Sequence, residues 1–347
     1  MNRSNFKILV VEDHENTAKY FAKILVNAGF STDYTTSGPD ALQVLRKTNY
    51  HLVVTDWLMP MMDGIELIRN IHDKISPSPI VIMITSKQSE KSKETALFSG
   101  ADEFITKPVK PDDLINRIEV LIDREYKEGL TEEEISVEAR TLADKPLKLP
   151  PHVGVAIASS TGGPPTLIEV LSELNDSFRA AIYVVQHGPS WMLQSFADRI
   201  AETTGHRTVI GGDNMPTTPG TIYLAPGEIH MVVNPETYNT ELFTGPKENF
   251  IIPAADPLFR SVARAFGKYS IGVVLTGLGR DGTLGAAVIS AAGGKILVQD
   301  PASAVAPSMP RSVIKANIQC HVLPVKDLGA VLSTSIFQMA ALLKKNA

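Results

Sequence analysis

The feature that most constrains this chain is a rhythm that occurs twice. Short, nearly continuous β-branched runs alternate with amphipathic stretches, and the two series are separated by one polar segment. Residues 1–125 carry the runs KILVV (7–11), a weaker YTT (34–36), HLVVTD (51–56), IVIMIT (80–85) and EFIT (103–106). Helical spacing falls near 15–28, 38–48, 64–73, 88–99 and 111–124. Strands that read as unbroken apolar runs are buried on both faces, and strand–helix–strand order with compact connections gives a parallel sheet covered on both sides. The second series begins at VGVAIA (153–158). It continues through AAIYVVQ (180–186), TIYLA (221–225), HMVVN (230–234), IGVVLT (271–276) and KILVQ (295–299), with helices near 164–174, 190–203, 257–267, 282–292 and 328–344. The fold class is therefore α/β, two doubly wound parallel-sheet domains, with a linker at 126–150 that includes a short helix over 131–142.

Composition narrows the function classes. Hydrophobic residues make up 44% of the 347 and charged residues 20%, which supplies two sizeable cores and excludes a disordered chain. No run reaches the roughly 18 apolar residues of a membrane span, and the N-terminus enters a strand almost at once, so neither a signal peptide nor direct membrane insertion is expected. The single cysteine, Cys320, has no partner for a disulfide or a zinc site. A cytoplasmic protein is the expectation. Residues 151–347 carry 14 basic and 14 acidic residues without a basic stripe, so nucleic acid is not an expected partner.

In an open parallel sheet, ligands sit at the carboxyl ends of the strands. In the first series those ends carry Glu12 and Asp13, Asp56, Thr85 and Lys107. Three converging carboxylates repel unless a cation joins them, and hard oxygen donors suit Mg²⁺. Thr85 and Lys107 could then hold the oxygens of a phosphoryl group on Asp56. Taken singly, the acidic loop also reads as a solvated one, and Thr85 also reads as a helix cap.

Together these residues resemble the receiver domain of two-component response regulators, over 5–125. The resemblance implies a flavodoxin-like fold in which Glu12, Asp13 and Asp56 bind Mg²⁺. It makes Asp56 the phosphoacceptor and Thr85, Lys107 and the aromatic Phe104 the switch residues. A receiver is a switch, so its output must lie in the second domain.

Three motifs there carry chemistry, each at the end of an apolar run. AIASSTGGPP (156–165) places small residues and a hydroxyl in a strand-to-helix turn; YVVQHGPS (183–190) places His187 just past a strand; VVLTGLGRDGTLGA (273–286) holds Asp281 at a helix start. Serine is a poor nucleophile at neutral pH, so it needs an imidazole to take its proton and a carboxylate to orient that imidazole. Each residue also has a plain reading, since Ser160 and Asp281 both suit N-caps and His187 suits a hydrogen-bonded structural role. A rival reading uses Gly277, Gly279 and Gly282 as the G-x-G-x-x-G loop of a dinucleotide site, with Asp300 ending the next strand. That reading sets the Asp281 carboxylate against the pyrophosphate and leaves SSTGG and QH unused.

Residues 151–347 resemble the catalytic domain of chemotaxis-type protein-glutamate methylesterases, a Rossmann-like domain. AIASSTGG, VVQHGPSWMLQSFADRI, IYLAPGEIHMVV, DPLFRSVARAFG, GVVLTGLGRDGTLGA, ILVQDPASA and SMPRSV occur in family order. The resemblance makes Ser160 the nucleophile, His187 the base and Asp281 the orienting carboxylate. Ser159 remains an alternative nucleophile, and backbone N–H groups near Thr161 and Leu278 are oxyanion-hole candidates. It implies hydrolysis of glutamate methyl esters, and deamidation of specific glutamines, on methyl-accepting chemotaxis receptors. A chemotaxis histidine kinase would be the phosphodonor, and the esterase reaction would need no cofactor. The family's unphosphorylated receiver restrains the esterase. Ala158, Gly188, Leu278 and Ser308 depart from the family's usual residues, and the Ala306–Pro307–Ser308 stretch bears on the substrate. A non-chemotaxis protein target, or partner binding without catalysis, are the alternatives.

Overall fold

The computed structural model describes residues 2–86, 89–126, 130–140 and 149–346. The chain divides into two compact units, Met1–Asp123 and Arg124–Ala347.

In the first unit, strands β1 (Lys7–Val11), β2 (Ser31–Thr35), β3 (Leu52–Asp56), β4 (Ile80–Thr85) and β5 (Glu103–Thr106) form one parallel sheet in the order β2-β1-β3-β4-β5. Helices α1 (Glu15–Asn27), α2 (Gly38–Lys47), α3 (Gly64–Lys74), α4 (Glu90–Phe98) and α5 (Pro111–Tyr126) connect and follow them, the last three residues of α5 belonging to the second unit. The helices form where the apolar period is 3.6. In α1 the buried residues are Ala18, Phe21, Ala22 and Leu25, one stripe of a single face. Side-chain caps set three of the starts: Ser37 Oγ accepts the Asp40 N–H, Asp63 Oδ1 the Glu66 N–H and Ser89 Oγ the Ser92 N–H, each cap stabilising by about 1 kcal/mol. Strand order reverses between β1 and β3, and the crevice that opens there lies between the ends carrying Glu12, Asp13 and Asp56.

The second unit opens with α6 (Glu132–Arg140), which packs on the tenth helix described below. The expected helix over 131–142 therefore ends at Arg140, and residues 141–148 of the expected linker lie outside the described residues. Seven parallel strands follow: β6 (Val153–Ser159), β7 (Ala180–Gln186), β8 (Arg207–Ile210), β9 (Thr221–Leu224), β12 (Ser270–Val274), β13 (Lys295–Gln299) and β14 (His321–Leu323). Their order is β14-β13-β12-β6-β7-β9-β8. β6 and β7 are buried at every position, which is why they read as continuous apolar runs. Helices α7 (Gly163–Ser172), α8 (Ser190–Thr204), α9 (Ala255–Phe266), α10 (Thr283–Ala291), α11 (Ser308–Lys315) and α12 (Val325–Asn346) complete the unit. The Phe266 ring of α9 lies directly on Gly154 of β6, where a Cβ would come within 2.2 Å of it. Glycine is required there for the helix to seat.

One strand differs from the sequence reading. The run HMVVN does not join the parallel sheet. As β10 (His230–Val233) it pairs antiparallel with β11 (Thr240–Phe243) in a separate two-stranded ribbon that packs on α9.

Candidate active site

Ser160, His187 and Asp281 follow three adjacent strands, β6, β7 and β12, at the carboxyl edge of the seven-stranded sheet. β6 is the first strand of that sheet in the chain. The chain leaves it toward β7 on one side and returns to β12 on the other, which makes this the sheet's switch point.

Hydrogen bonds between the three turns hold them in register. The Ser160 N–H donates to Thr276 O at 3.0 Å, and the His187 N–H donates to Ser159 O at 3.0 Å. Buried Gln186 donates its amide to Ser160 O at 3.0 Å and to His187 O at 2.8 Å. Gly277 lies against the Ser160 turn, and a Cβ there would come within 2.6 Å of Ser160 Cβ and 2.2 Å of Met309 Sδ.

The adjacent serines are placed differently. Ser159 is fully buried and its hydroxyl donates to Gln186 Oε1 at 2.6 Å. Ser160 Oγ instead shares a single donor with His187: Arg124 Nη2 donates to Ser160 Oγ at 2.5 Å and to His187 Nδ1 at 2.7 Å. Arg124 is the first residue of this unit, and its Nε also donates to Leu278 O at 3.2 Å.

His187 is fixed on its other side. Its Nε2 lies 2.8 Å from Asp281 Oδ2, and Asp281 is almost completely buried. A guanidinium can only donate, so Nδ1 accepts and Nε2 carries the proton. The tautomer therefore leaves a lone pair on the serine side of the ring. Compared with the familiar Ser-His-Asp template, the two ring nitrogens have exchanged roles. Burial lowers the His187 pKa, the Arg124 charge lowers it further, and Asp281 opposes both, leaving the ring below the usual imidazole value. For Asp281, burial works to raise the pKa, but His187 and the backbone N–H groups of Ala255 and Asp256 bring it below the usual carboxylate value.

The Gly277–Gly282 loop does not suit a dinucleotide. Its Asp281 carboxylate is directed at His187 and at the start of α9, and Asp300 accepts the Ala302 N–H in a local turn. Ser308 hydrogen-bonds the Glu125 carboxylate, which also accepts the Gly279 N–H at 3.1 Å. Burial raises the Glu125 pKa. The 306–309 segment is tied to the same loop, with Gly277 N–H donating to Ala306 O at 2.8 Å and Met309 N–H to Gly277 O at 3.0 Å.

In the first unit, Lys107 Nζ bridges Glu12 Oε2 and Asp56 Oδ2 at 2.7 Å each. Asp56 Oδ1 accepts the Trp57 N–H at 2.6 Å. Burial raises the Glu12 pKa against the lowering effect of Lys107. Burial also works against the Lys107 charge, but its bonds to Asp56 and Glu12 outweigh this and raise its pKa. Thr85 is fully buried at the end of β4, and Phe104 is buried in the core from β5. The sequence reading missed His14, whose Nδ1 lies 2.9 Å from Asp13 Oδ1. Ligand atoms of Glu12, Asp13 and His14 fall within 4.8 Å of one another.

Similarity to known proteins runs along both units. Residues 155–332 match the CheB methylesterase model, and residues 8–119 match the response regulator receiver domain model. The chain belongs to the CheB methylesterase family. Among curated CheB-type relatives, a protein-glutamate methylesterase/protein-glutamine glutaminase of Nocardioides sp. is 34% identical over 313 residues, 84% of each chain. One of Myxococcus xanthus is 32% identical over 368 residues, covering 96% of this chain and 98% of that one. The crystal structure of the Thermotoga maritima CheB methylesterase catalytic domain superposes with a TM-score of 0.51 at 32% identity, covering 54% of this chain and 98% of that one.

Four residues that hydrogen-bond around Ser160, His187 and Asp281 were not singled out in the sequence. Gln186 and Asp256 sit inside quoted motifs, next to His187 and at the head of DPLFRS. Asn249 lies in a loop without a pattern, and Arg124 sits in an ordinary amphipathic helix that gave no signal.

Proposed function

We propose that the protein is a phosphorylation-regulated protein-glutamate methylesterase, with a receiver at 1–125, a linker at 126–150 and a catalytic domain at 151–347. The observation that carries the reading is the Ser160–His187–Asp281 arrangement in a chain of this family. Ser160 Oγ attacks the side-chain carbonyl of a glutamate methyl ester, and its proton passes to His187 Nδ1. Asp281 Oδ2 holds the Nε2–H and stabilises the imidazolium. The tetrahedral intermediate collapses as His187 returns the proton to the departing methanol. Water then attacks the acyl-enzyme with His187 again as base, releasing the glutamate carboxylate and restoring Ser160. The same steps on a glutamine release ammonia, so deamidation needs no second site. Both steps require Ser160 Oγ and His187 Nδ1 to be clear of Arg124.

The substrate would be a methyl-accepting chemotaxis receptor and the phosphodonor a chemotaxis histidine kinase, which places the protein in the cytoplasm. No described helix is long and apolar enough to cross a membrane. The donors around Asp56 suit Mg²⁺: Glu12, Asp13 and Asp56 are hard carboxylates, and Lys107 already offsets two of them. Bound there, Mg²⁺ would offset the charge of a phosphoryl group arriving at Asp56. Thr85 and Lys107 would then take the phosphoryl oxygens. A binding protein without catalysis is disfavoured, because the hydrogen bonds of His187 make its Nδ1 an acceptor on the Ser160 side and set its Nε2 on Asp281.

The test is methanol release from methylated receptor membranes by the wild type, Ser160→Ala and Asp56→Ala, with and without Mg²⁺ and a small phosphodonor. Release that depends on Ser160, and rises only where Asp56 can be phosphorylated, is the expected result. No release by the wild type from receptors of the native host would reject the substrate.

A further inference from the structure

Two buried carboxylates lie behind His187, and the reaction above uses only one. Asp281 Oδ2 accepts from His187 Nε2 and from the Ala255 N–H at 2.5 Å, while Oδ1 accepts from the Asp256 N–H at 3.1 Å and from Asn249 Nδ2 at 3.3 Å. Asp256 Oδ1 accepts the Gly285 N–H at 2.8 Å, and its Oδ2 accepts Asn249 Nδ2 at 2.9 Å. The two helices thus exchange caps. Asp281, just before α10, satisfies the first N–H groups of α9, and Asp256, from the first turn of α9, satisfies one of α10.

Asn249 joins the exchange. Its Oδ1 accepts from Arg280 Nε at 3.2 Å, which turns its amide nitrogen toward both carboxylates. Capping alone does not call for a second carboxyl group here, since a serine or threonine caps as well. Burial raises the Asp256 pKa first, and the charge of Asp281 raises it further. The other titratable or charged groups around the pair are His187, Arg280 and Arg260, the last of which is paired with Glu248.

We propose that Asn249 and Asp256 are positioning residues for the esterase reaction, holding Asp281 in the one orientation that keeps His187 in its Nε2–H tautomer with Nδ1 toward Ser160. This rests on the Ser-His-Asp reading of the site. With every acceptor position of Asp281 occupied, Oδ2 cannot turn away from the ring. Loss of the Asn249 bridge leaves Oδ1 with the Asp256 N–H alone and weakens the contact that supports the imidazolium.

The test uses the full chain with Mg²⁺ and phosphodonor, comparing wild type with Asn249→Ala, Asp256→Asn and Asp256→Ala. Asn249→Ala should lower kcat for methanol release about a hundredfold, the cost of a small misplacement, with KM unchanged. It should weaken the low-field proton NMR signal of the His187–Asp281 hydrogen bond. It should also move the acid limb of the pH profile to lower pH, because the group that raises the His187 pKa is less firmly held. Asp256→Asn, which keeps one acceptor, should retain more activity than Asp256→Ala. An unchanged kcat with the low-field signal intact would overturn the proposal. So would a loss of activity matched by an equal loss of serine-reactive enzyme and of Tm, with the acid limb in place. If the wild type releases no methanol, the substrate reading fails, and the NMR signal still decides the positioning role.

Discussion

Arg124 and Ser160 are joined by a 2.5 Å hydrogen bond from Nη2 to Oγ, and the same nitrogen reaches His187 Nδ1 at 2.7 Å. One cation therefore engages both ends of the proposed proton transfer. While it does, Nδ1 has no lone pair free for the serine proton, and an imidazolium beside it would be repelled. Arg124→Ala should raise methanol release without phosphodonor about 5- to 150-fold, the usual range of a coupling between sites. Unchanged basal release in that variant would show that Arg124 does not restrain the enzyme.

The same contact predicts a pH signature. His187 acts as base only when neutral, and its pKa is lowered first by burial and then by the Arg124 charge, with Asp281 opposing. The acid limb of the unphosphorylated enzyme's rate profile should therefore lie below the ordinary imidazole value of roughly 6.5. Removing Arg124 takes away a lowering influence, so the limb should move up. A limb at the ordinary value in both proteins would contradict this.

Ser159 and Ser160 are neighbours with opposite expectations. The Ser159 hydroxyl is spent on Gln186, so Ser159→Ala should cost about 1 kcal/mol of stability, with loss of activity within about tenfold. Ser160→Ala should lose about 10⁴- to 10⁶-fold, as when other triad nucleophiles are removed. Thermal melts and methanol release on both variants separate the two. The reverse ranking would move the nucleophile to Ser159.

What could be read from the chain follows burial. β6 and β7, buried on both faces, stand out as apolar runs, and their ends carry Ser160 and His187. β8, β11 and β14 were not visible, being three or four residues long and partly exposed. α11 was missed because Pro310 in its first turn looks like a break, although a first turn tolerates proline. The antiparallel pairing of β10 was hidden because its apolar run is the same in either kind of sheet. At the site, the chemical side chains were legible because each follows a strand. Arg124, Asn249 and Asp256 were not, because their importance lies in contacts far along the chain. Nothing local distinguishes Arg124 from a solvated helix arginine.

The Lys107 bridge makes a last prediction for the first unit. Lys107 holds Glu12 and Asp56 in the arrangement described here, so a cation entering must share or displace it. Trp57 follows Asp56 directly and donates its N–H to it, which makes its fluorescence a local reporter once Trp191 is replaced by Phe. Mg²⁺ should change that signal, and Asp56→Ala should abolish the change. The Glu12 pKa is raised, chiefly by burial, so the carboxylate takes up a proton at higher pH than an ordinary glutamate. A protonated Glu12 is a poorer ligand, so Mg²⁺ affinity should fall with pH from above the ordinary glutamate value of about 4.3. Glu12→Gln should bind more weakly at neutral pH and show a flatter dependence, because the titrating ligand is gone. Affinity that stays constant between about pH 5 and 7 in the wild type, or the same slope in Glu12→Gln, would remove Glu12 from the ligand set.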